Sequence, residues 1–460
     1  MNHLLPSGPR SVKRVIKAMV VCTILLLTVT AVLNAQPPGK ENIPQIDAKM
    51  RAAIIDSVTA KINTIYVFPD VANKMEAYVR KQLKEKKYDT LTNHMRFCEV
   101  LTNDLREVCK DKHVGVRYVD DRALEFAIND SLTDDQLKEL QRRATYDNYG
   151  FYKLERLNGN VGYLDLRSFE NAATAGETAI AAMKFLGNSD ALIIDLRHNG
   201  GGAPSMIQLI TSYFFKNKRH LNSFYVRQTD SIIQFWTQEY VDGKKMTDIP
   251  IYILTSGYTF SAAEEFTYNL KTMERATIVG ETTGGGAHPV ERHVFDNLHV
   301  RISVPFGRAI NPITGTNWEG VGITPHIEVP QEGALEVAHV EALKEILKTV
   351  IDEDRKGGLI WTIANMEAML NPATVDDATM QKYAGVYGPR TIMYENGKLY
   401  YQREGRPKFW MIPMTDDTFV FKEISYFRIR VEMDNAGNPT ALVGLYDNGH
   451  TDRSPKGEGK

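Results

Sequence analysis

Between residues 160 and 330, short β-rich runs alternate with helical segments, and this alternation limits the possible folds more than any other feature of the chain. The β-rich runs are residues 161–166, 191–196 and 249–254. The helical segments that follow them are residues 178–186, 205–215 and 262–273. Strands that alternate with helices in this way are typical of βαβ units and of a parallel sheet. We therefore predict an α/β core within an α+β multidomain chain.

The segments on either side of this core have different patterns. Residues 51–65, 71–86 and 91–110 have helix-forming composition with charges on one side, and residues 131–143 form a further charged helical segment. Residues 383–445 contain short strands separated by turn sequences, which predicts a small antiparallel β-domain. We predict an N-terminal helical domain (40–125), the α/β core (126–335), linker helices (336–371) and a C-terminal β-domain (372–460).

The N-terminus has the layout of a secretory signal. Residues 1–35 contain Arg10, Lys13, Arg14 and Lys17, no acidic residue, and then an apolar run that closes on Asn34-Ala35. Cleavage after Ala35 predicts an exported protein, periplasmic or extracellular, with no stable membrane span. A retained anchor helix is the alternative. Removing four of the 55 basic residues leaves 51 against 57 acidic ones, a net charge of −6 that gives no electrostatic case for nucleic-acid binding.

The mature chain has two cysteines, Cys98 and Cys109, within one predicted helix. Eleven helical residues separate their Cα atoms by about 16 Å, too far for a disulfide. We predict free, partly buried thiols. No Cys-x-x-Cys, His-Glu-x-x-His or phosphate-binding Gly-Lys-Ser pattern occurs, so we expect neither a metal nor a cofactor.

Ser261 lies at the turn between the β-rich run 249–254 and the helical segment after it. A serine at such a turn directs its hydroxyl away from the sheet edge, and the unpaired N–H groups of the first helical turn can bind an oxyanion. Serine is also a favoured N-cap residue, and a purely structural cap is the alternative.

Three further elements accompany this turn. Residues 194–202 end a buried strand in Gly200-Gly201-Gly202, residues 279–288 form a second glycine turn, and residues 318–329 contain Glu319 within Trp-Glu-Gly-Val-Gly-Ile-Thr-Pro. Consecutive glycines let backbone amides approach a ligand closely, as an oxyanion hole requires. Each element alone is a weak signal.

Four motifs, taken in their order along the chain, resemble those of one peptidase family. They are Asp-Leu-Arg-x-Asn-Gly-Gly-Gly, Thr-x-Ser-Ala-Ala-Glu, Gly-Glu-Thr-Thr-Gly-Gly and Glu-Gly-Val-Gly-Ile-x-Pro. It includes the C-terminal-processing (tail-specific) proteases, the tricorn core protease and the interphotoreceptor retinoid-binding protein. The resemblance covers about residues 95–330 and implies a ClpP/crotonase-like core, with Ser261 as the nucleophile.

The resemblance also bears on the base that activates Ser261. The tail-specific branch uses a lysine at a position that corresponds to Gly286, and no lysine occurs from 276 to 335. The tricorn-like branch uses an upstream histidine supported by a glutamate, which implies His113 as general base and Glu319 in support. His288 and then His198 are the alternative bases. Glu319 as a solvated turn carboxylate is the alternative to a supporting role.

The residue before the histidine departs from the tricorn-like pattern. That branch has a serine there, whereas this chain has Lys112, which can donate a hydrogen bond but cannot accept one. Either Asp111, a backbone carbonyl or Glu319 acting through a water then orients His113, or the orientation of its ring is looser than in the family.

By the same resemblance, the oxyanion hole is formed by the backbone N–H of Ala262 and one amide of the first glycine turn. Gly201 is our first choice for the second donor, and Gly200 is the fallback.

Only about 45 residues separate His113 from the first strand of the core, too few for the PDZ domain of the tail-specific relatives. We therefore expect a serine peptidase that lacks a PDZ domain and takes a peptide or loosely folded protein as substrate. Two alternatives remain: a non-catalytic protein that binds apolar ligands on the same fold, and an interaction protein whose working face is the C-terminal β-domain. The aromatic residues of that face would be Tyr394, Tyr400, Tyr401, Phe409 and Trp410.

Overall fold

The computed structural model describes residues 43–120, 124 and 134–457. The predicted signal segment at 1–35 and the start of the predicted helix at 131–143 lie outside the described residues. None of the helices within the described part is long and apolar enough to cross a bilayer.

The predicted helices and strands occur in the predicted order, with further strands between them. The helices are α1 (Ala48–Ile65), α2 (Pro69–Lys84), α3 (His94–Cys109), α4 (Asp134–Tyr146), α5 (Ala172–Leu186), α6 (Pro204–Thr211), α7 (Ala262–Thr272), α8 (Ala334–Thr349), α9 (Glu353–Leu370) and α10 (Asp377–Tyr383). The strands up to residue 330 are β1 (Gly115–Tyr118), β2 (Phe151–Leu157), β3 (Val161–Leu166), β4 (Ala191–Asp195), β5 (His220–Val226), β6 (Ser231–Trp236), β7 (Ile251–Thr255), β8 (Thr277–Gly280), β9 (Val290–Phe295), β10 (Val300–Pro305), β11 (Gly307–Ile310) and β12 (Ile327–Glu328).

A six-stranded sheet in the order β12-β8-β7-β4-β3-β2 forms the centre of the protein. Its neighbouring strands run parallel, except that β2 is antiparallel to β3. Strands β3, β4 and β7 are buried along their whole length, as strands covered on both faces must be. The predicted α/β core is confirmed.

Helices cover both faces of this sheet. On one face α5, α6 and α7 pack against alternate residues of the strands, including Leu192 and Ile253. On the other face α8 and α9 pack against the intervening residues, including Ile193 and Leu254. The residues assigned to linker helices, 336–371, are therefore a layer of the core, because their apolar sides are buried against the sheet.

The N-terminal helices share their hydrophobic core with strands from a distant part of the chain. Strand β1 pairs with β10, which pairs with β9, and all three are antiparallel. Apolar residues of α1, α2 and α3 pack on Val300, Ile302 and Val304 of β10. The sequence predicts a helical unit that ends at residue 125. In the structure, this unit also contains residues 290–305. The pairing of β1 with β10 fixes the position of the segment just before β1, and this segment carries His113.

A second small sheet, β11-β5-β6, was not predicted. Its strand β5 lies in a region for which no helix or strand is predicted, and β5 pairs antiparallel with both neighbours.

The C-terminal part is antiparallel β-structure, as predicted, and it contains two sheets. One is β13-β14-β15-β16 and the other β17-β18-β19-β20-β21. These strands are β13 (Gly385–Tyr387), β14 (Arg390–Glu395), β15 (Lys398–Arg403), β16 (Lys408–Trp410), β17 (Ile412–Pro413), β18 (Thr418–Val420), β19 (Phe427–Met433), β20 (Pro439–Tyr446) and β21 (Thr451–Pro455). Tyr401 lies in the core, and Tyr394 and Phe409 pack against it, so these three do not form an exposed face. Trp410 is 40% exposed.

Cys98 and Cys109 are free thiols, which confirms that prediction. Burial raises the pKa of Cys98 to about 12 and that of Cys109 to about 11. Both are therefore thiols rather than thiolates at neutral pH and are weak nucleophiles.

Candidate active site

Ser261 lies at the sharp turn between β7 and α7, at the carboxyl edge of the parallel sheet. Its backbone angles are φ 56° and ψ −121°, a conformation that residues other than glycine rarely adopt. Such strain is concentrated at functional sites, and nucleophilic serines are mounted on strained strand-to-helix turns in other hydrolase folds. A plain N-cap would not need this backbone, since N-cap residues have ordinary extended angles.

Hydrogen bonds tie this turn to the loop that follows β4. Thr259 Oγ1 donates to Leu196 O (2.8 Å), and Ser256 Oγ donates to Arg197 O (2.6 Å). Phe260 N donates to Asn199 O (3.1 Å). The Ser261 turn and the first glycine turn therefore form one unit.

The structure brings His113 to Ser261 across 148 residues of sequence. His113 Nε2 is 3.3 Å from Ser261 Oγ, and the imidazole packs on the ring of Phe260 with a centroid distance of 4.7 Å. The side chain of His113 is 9% exposed. The distance is at the long end of hydrogen-bond reach, as is common for catalytic pairs without substrate. The predicted pair therefore lies within reach of proton transfer.

The other ring nitrogen of His113, Nδ1, is buried and has no hydrogen-bond partner among the described residues. Asp111 Oδ1 lies 3.8 Å from it and accepts the backbone N–H of His113 itself (2.9 Å). Burial lowers the pKa of His113 to about 4, although the charge of Asp111 acts in the opposite direction. His113 is therefore neutral at pH 7, the form that a general base requires.

Glu319 reaches the same cluster from the turn before β12. Its Oε2 accepts the backbone N–H of Ala287 (2.6 Å), while its Oε1 is buried without a partner within the described chain. Burial, and then the charge of Asp111, raise the pKa of Glu319 to about 7. Glu319 is thus only 16% exposed and close to the predicted base, unlike a solvated turn carboxylate.

The two glycine amides considered as the second oxyanion donor, those of Gly201 and Gly200, differ in the structure. Gly201 N donates to Asn199 Oδ1 (2.8 Å), so this amide is already engaged. Among the described residues, neither Gly200 N nor Ala262 N has a hydrogen-bond acceptor. A Cβ on residue 201 would lie 2.9 Å from both Ser261 Cβ and Ala262 N. The order of preference is therefore reversed: Gly200 becomes the better candidate donor, and Gly201 provides the close backbone approach.

Glu264 organises the second glycine turn, a role that the sequence reading missed. Its carboxylate accepts the backbone N–H groups of Ser261 (2.9 Å), Gly285 (2.7 Å) and Gly286 (2.8 Å), as well as the hydroxyl of Thr283. The spacing Ser261-x-x-Glu264 is the capping-box signature and could have indicated part of this role.

Lys112 and the alternative histidines do not take the place of His113. Lys112 Nζ donates to Gly284 O (2.6 Å). His288 Nδ1 is 2.7 Å from Asp111 Oδ2, so His288 belongs to the layer behind His113. His198 is exposed on the first glycine turn. Within the described chain, only His113 has a ring nitrogen at hydrogen-bond distance from Ser261 Oγ.

Asp111, His113 and Glu319 place polar atoms within 4.8 Å of one another, a spacing that could suit a metal ion. His113 faces Ser261, and the other two residues lie behind it.

Comparisons with known proteins find similarity to one peptidase family. A family model described as peptidase family S41 matches residues 160–329, and a model of the N-terminal domain of peptidase S41 in eukaryotic IRBP matches residues 40–147. A carboxy-terminal-processing protease from Bartonella bacilliformis is 30% identical over 181 residues, which are 38% of this chain and 40% of that relative. The chain therefore matches less than half the length of this relative.

Two solved structures are also similar. A putative peptidase from Parabacteroides merdae has a TM-score of 0.46 and 17% identity, over 65% of this chain and 97% of its own. A lipoprotein from Streptococcus agalactiae has a TM-score of 0.43 and 16% identity, over 65% of this chain and 96% of its own.

Proposed function

Because this chain belongs to peptidase family S41, we propose that it is a serine peptidase in which Ser261 is the nucleophile and His113 the general base. The 3.3 Å contact between His113 Nε2 and Ser261 Oγ is the observation that carries this proposal. The strained backbone of Ser261 supports it independently.

In the proposed reaction, the neutral Nε2 of His113 takes the proton of Ser261 Oγ as the oxygen attacks the scissile carbonyl carbon. The resulting imidazolium then donates this proton to the leaving amine, which leaves an acyl-enzyme at Ser261. Water, deprotonated by the same nitrogen, hydrolyses the acyl-enzyme. Asp111, 3.8 Å from Nδ1, stabilises the imidazolium, and Glu319 supports the cluster from the adjacent turn.

The oxyanion of the tetrahedral intermediate is bound by the amides of Ala262 and Gly200 in this proposal. Both lack an acceptor within the described part of the chain. Each donor of this kind typically contributes about 3 kcal/mol of transition-state stabilisation. Two fixed amides would therefore account for a large share of the rate enhancement.

We further propose that the substrate is a peptide or a loosely folded protein and that the enzyme acts outside the cytoplasm. The signal-like residues 1–35 support export. The matched Bartonella protein is a carboxy-terminal-processing protease, which makes the C-terminal region of a polypeptide the first substrate to test.

Cleavage of an unfolded protein by purified wild-type and Ser261→Ala enzyme tests the proposal. Reduced, carboxymethylated lactalbumin serves as the substrate, and mass spectrometry identifies the fragments. We expect fragments with the wild type and none with Ser261→Ala. Equal cleavage by both proteins would reject Ser261 as nucleophile. A wild-type protein that is folded but inactive towards this substrate and a mixed peptide library would favour the non-catalytic alternative.

A further inference from the structure

Asp111 is buried and held from two sides. Its side chain is 1% exposed. Its Oδ1 accepts the backbone N–H of His113, and its Oδ2 lies 2.7 Å from Nδ1 of His288, whose side chain is 5% exposed. A carboxylate only accepts hydrogen bonds, so Nδ1 of His288 must carry the proton of this bond when Asp111 is ionised. His288 thus fixes the carboxylate that faces the predicted base.

His113 needs an acceptor at Nδ1. For Nε2 to take the proton of Ser261, the proton of the neutral ring must be on Nδ1. This N–H is buried and unpaired, which is costly. Asp111 Oδ1, at 3.8 Å, would reach hydrogen-bond distance after a shift of about 1 Å. Catalytic hydrogen bonds often close by such amounts when substrate binds.

We propose that His288 is a positioning residue: it holds the Asp111 carboxylate in the orientation in which Oδ1 accepts the Nδ1 proton of His113. The inference rests on the proposed function and adds a fourth side chain to it. His288 does not touch the reacting atoms in this account; it acts through Asp111.

The charges around His288 explain why a histidine suits this place. Glu319 Oε2 lies 3.5 Å from the same Nδ1, so His288 is next to two carboxyl groups. An N–H donor between them offsets their mutual repulsion and favours one geometry for Asp111. The other titratable groups close to this cluster are Tyr66, Arg106, Cys109, His113 and Arg292. Phe68 packs edge-on against the ring of His288 and limits its rotation.

Two substitutions separate positioning from packing. His288→Ala removes the donor, whereas His288→Asn can place an amide N–H close to the position of Nδ1. We expect His288→Ala to lower kcat by about tenfold or more, with KM changed by no more than about twofold. We expect His288→Asn to restore most of kcat.

His339→Ala is the matched control. His339 is also buried, and its Nε2 forms a hydrogen bond with Asn158 O. It lies in α8, which packs on the face of the sheet opposite to α7. We expect this control to lower Tm and leave kcat unchanged. If His288→Ala likewise lowers only Tm, or if His288→Asn is as slow as His288→Ala, the inference is wrong.

The ring proton of His113 provides a readout that does not require activity. In ¹⁵N-histidine-labelled protein we expect the ring proton of His113 to lie on Nδ1 in the wild type and in His288→Asn, and to be lost from Nδ1 in His288→Ala. Retention of this proton in His288→Ala would overturn the inference. If wild-type cleavage does not depend on Ser261, the proposed function fails instead, and the ring proton still tests the positioning role.

Discussion

Gly286 lies directly against the ring of His113. A Cβ on residue 286 would come within 2.7 Å of His113 Cε1 and would also overlap the ring of Phe260. The rings of His113 and Phe260, which pack against each other, therefore fill the space that a side chain at 286 would need. The tail-specific relatives are expected to have their catalytic lysine at this position. In this chain, a base at 286 and a base at 113 exclude one another on steric grounds.

Gly286→Ala should therefore reduce activity without the removal of any functional group. The added methyl group must displace His113 or Phe260, and a displacement of about 1 Å at a catalytic group can cost about 10²-fold in rate. We expect kcat/KM to fall by a factor in that range. Gly357→Ala is the control, since a Cβ at this helical glycine meets nothing within 4 Å. Equal activity of the two variants would show that the contact with His113 is unimportant.

The pH dependence of kcat/KM should reflect the lowered pKa of His113. The base must be neutral, so activity is lost as pH falls through its pKa, which burial lowers to about 4. We expect an acid limb near pH 4, well below the ordinary histidine value. Asp111→Asn removes the charge that raises this pKa, so the limb should move to still lower pH while kcat decreases. A limb near pH 6.5 in both proteins would contradict this assignment.

Glu319 should make stability depend on pH. Its pKa in the folded protein is raised to about 7, mainly by burial. The stability linked to its protonated form is complete below the ordinary carboxyl pKa and is lost as pH rises through about 7. Glu319→Gln removes this pH-dependent contribution to stability and keeps an acceptor for the Ala287 N–H. We expect the Tm of Glu319→Gln relative to wild type to rise between pH 5 and pH 8.

The control for this experiment is Glu336→Gln, at an exposed position of α8. Its Tm relative to wild type should not change with pH. If the Tm difference between Glu319→Gln and the wild type is also independent of pH, the carboxyl group of Glu319 does not have a raised pKa in the folded protein.

Much of this site follows from local sequence, and the remainder depends on distant pairings. The βαβ alternation predicts the parallel sheet, and the Ser261 turn follows from the strand before it and the helix after it. The bond between His288 and Asp111 joins residues 177 positions apart. It requires the pairing of β1 with β10, and short strands of this kind carry no local signal for their partners.

The oxyanion assignment shows the same limit in a smaller space. Gly200, Gly201 and Gly202 are equivalent in sequence, and in the structure the side chain of Asn199 singles out Gly201 by accepting its amide N–H. Backbone geometry at this scale cannot be read from a run of glycines.

Glu264→Ala should destabilise the fold and abolish activity. Three backbone N–H groups, those of Ser261, Gly285 and Gly286, lose their acceptor. A buried donor left unpaired costs about 1–3 kcal/mol, so we expect a loss of about 3 kcal/mol or more in the free energy of unfolding. Urea denaturation measures this change. Glu177→Ala, at an exposed position of α5, should stay within about 0.5 kcal/mol of wild type. A similarly small effect for Glu264→Ala would show that its carboxylate does not organise the turn.

The most direct test of the central claim is the rate at which a fluorophosphonate labels Ser261, compared between the wild type and His113→Asn. Labelling needs the activated hydroxyl and no particular substrate, and mass spectrometry locates the adduct. We predict a single adduct on Ser261 in the wild type and a rate lower by about 10²-fold or more in His113→Asn. Labelling of Ser261 at an unchanged rate without His113, or no labelling of the folded wild type, would contradict the account.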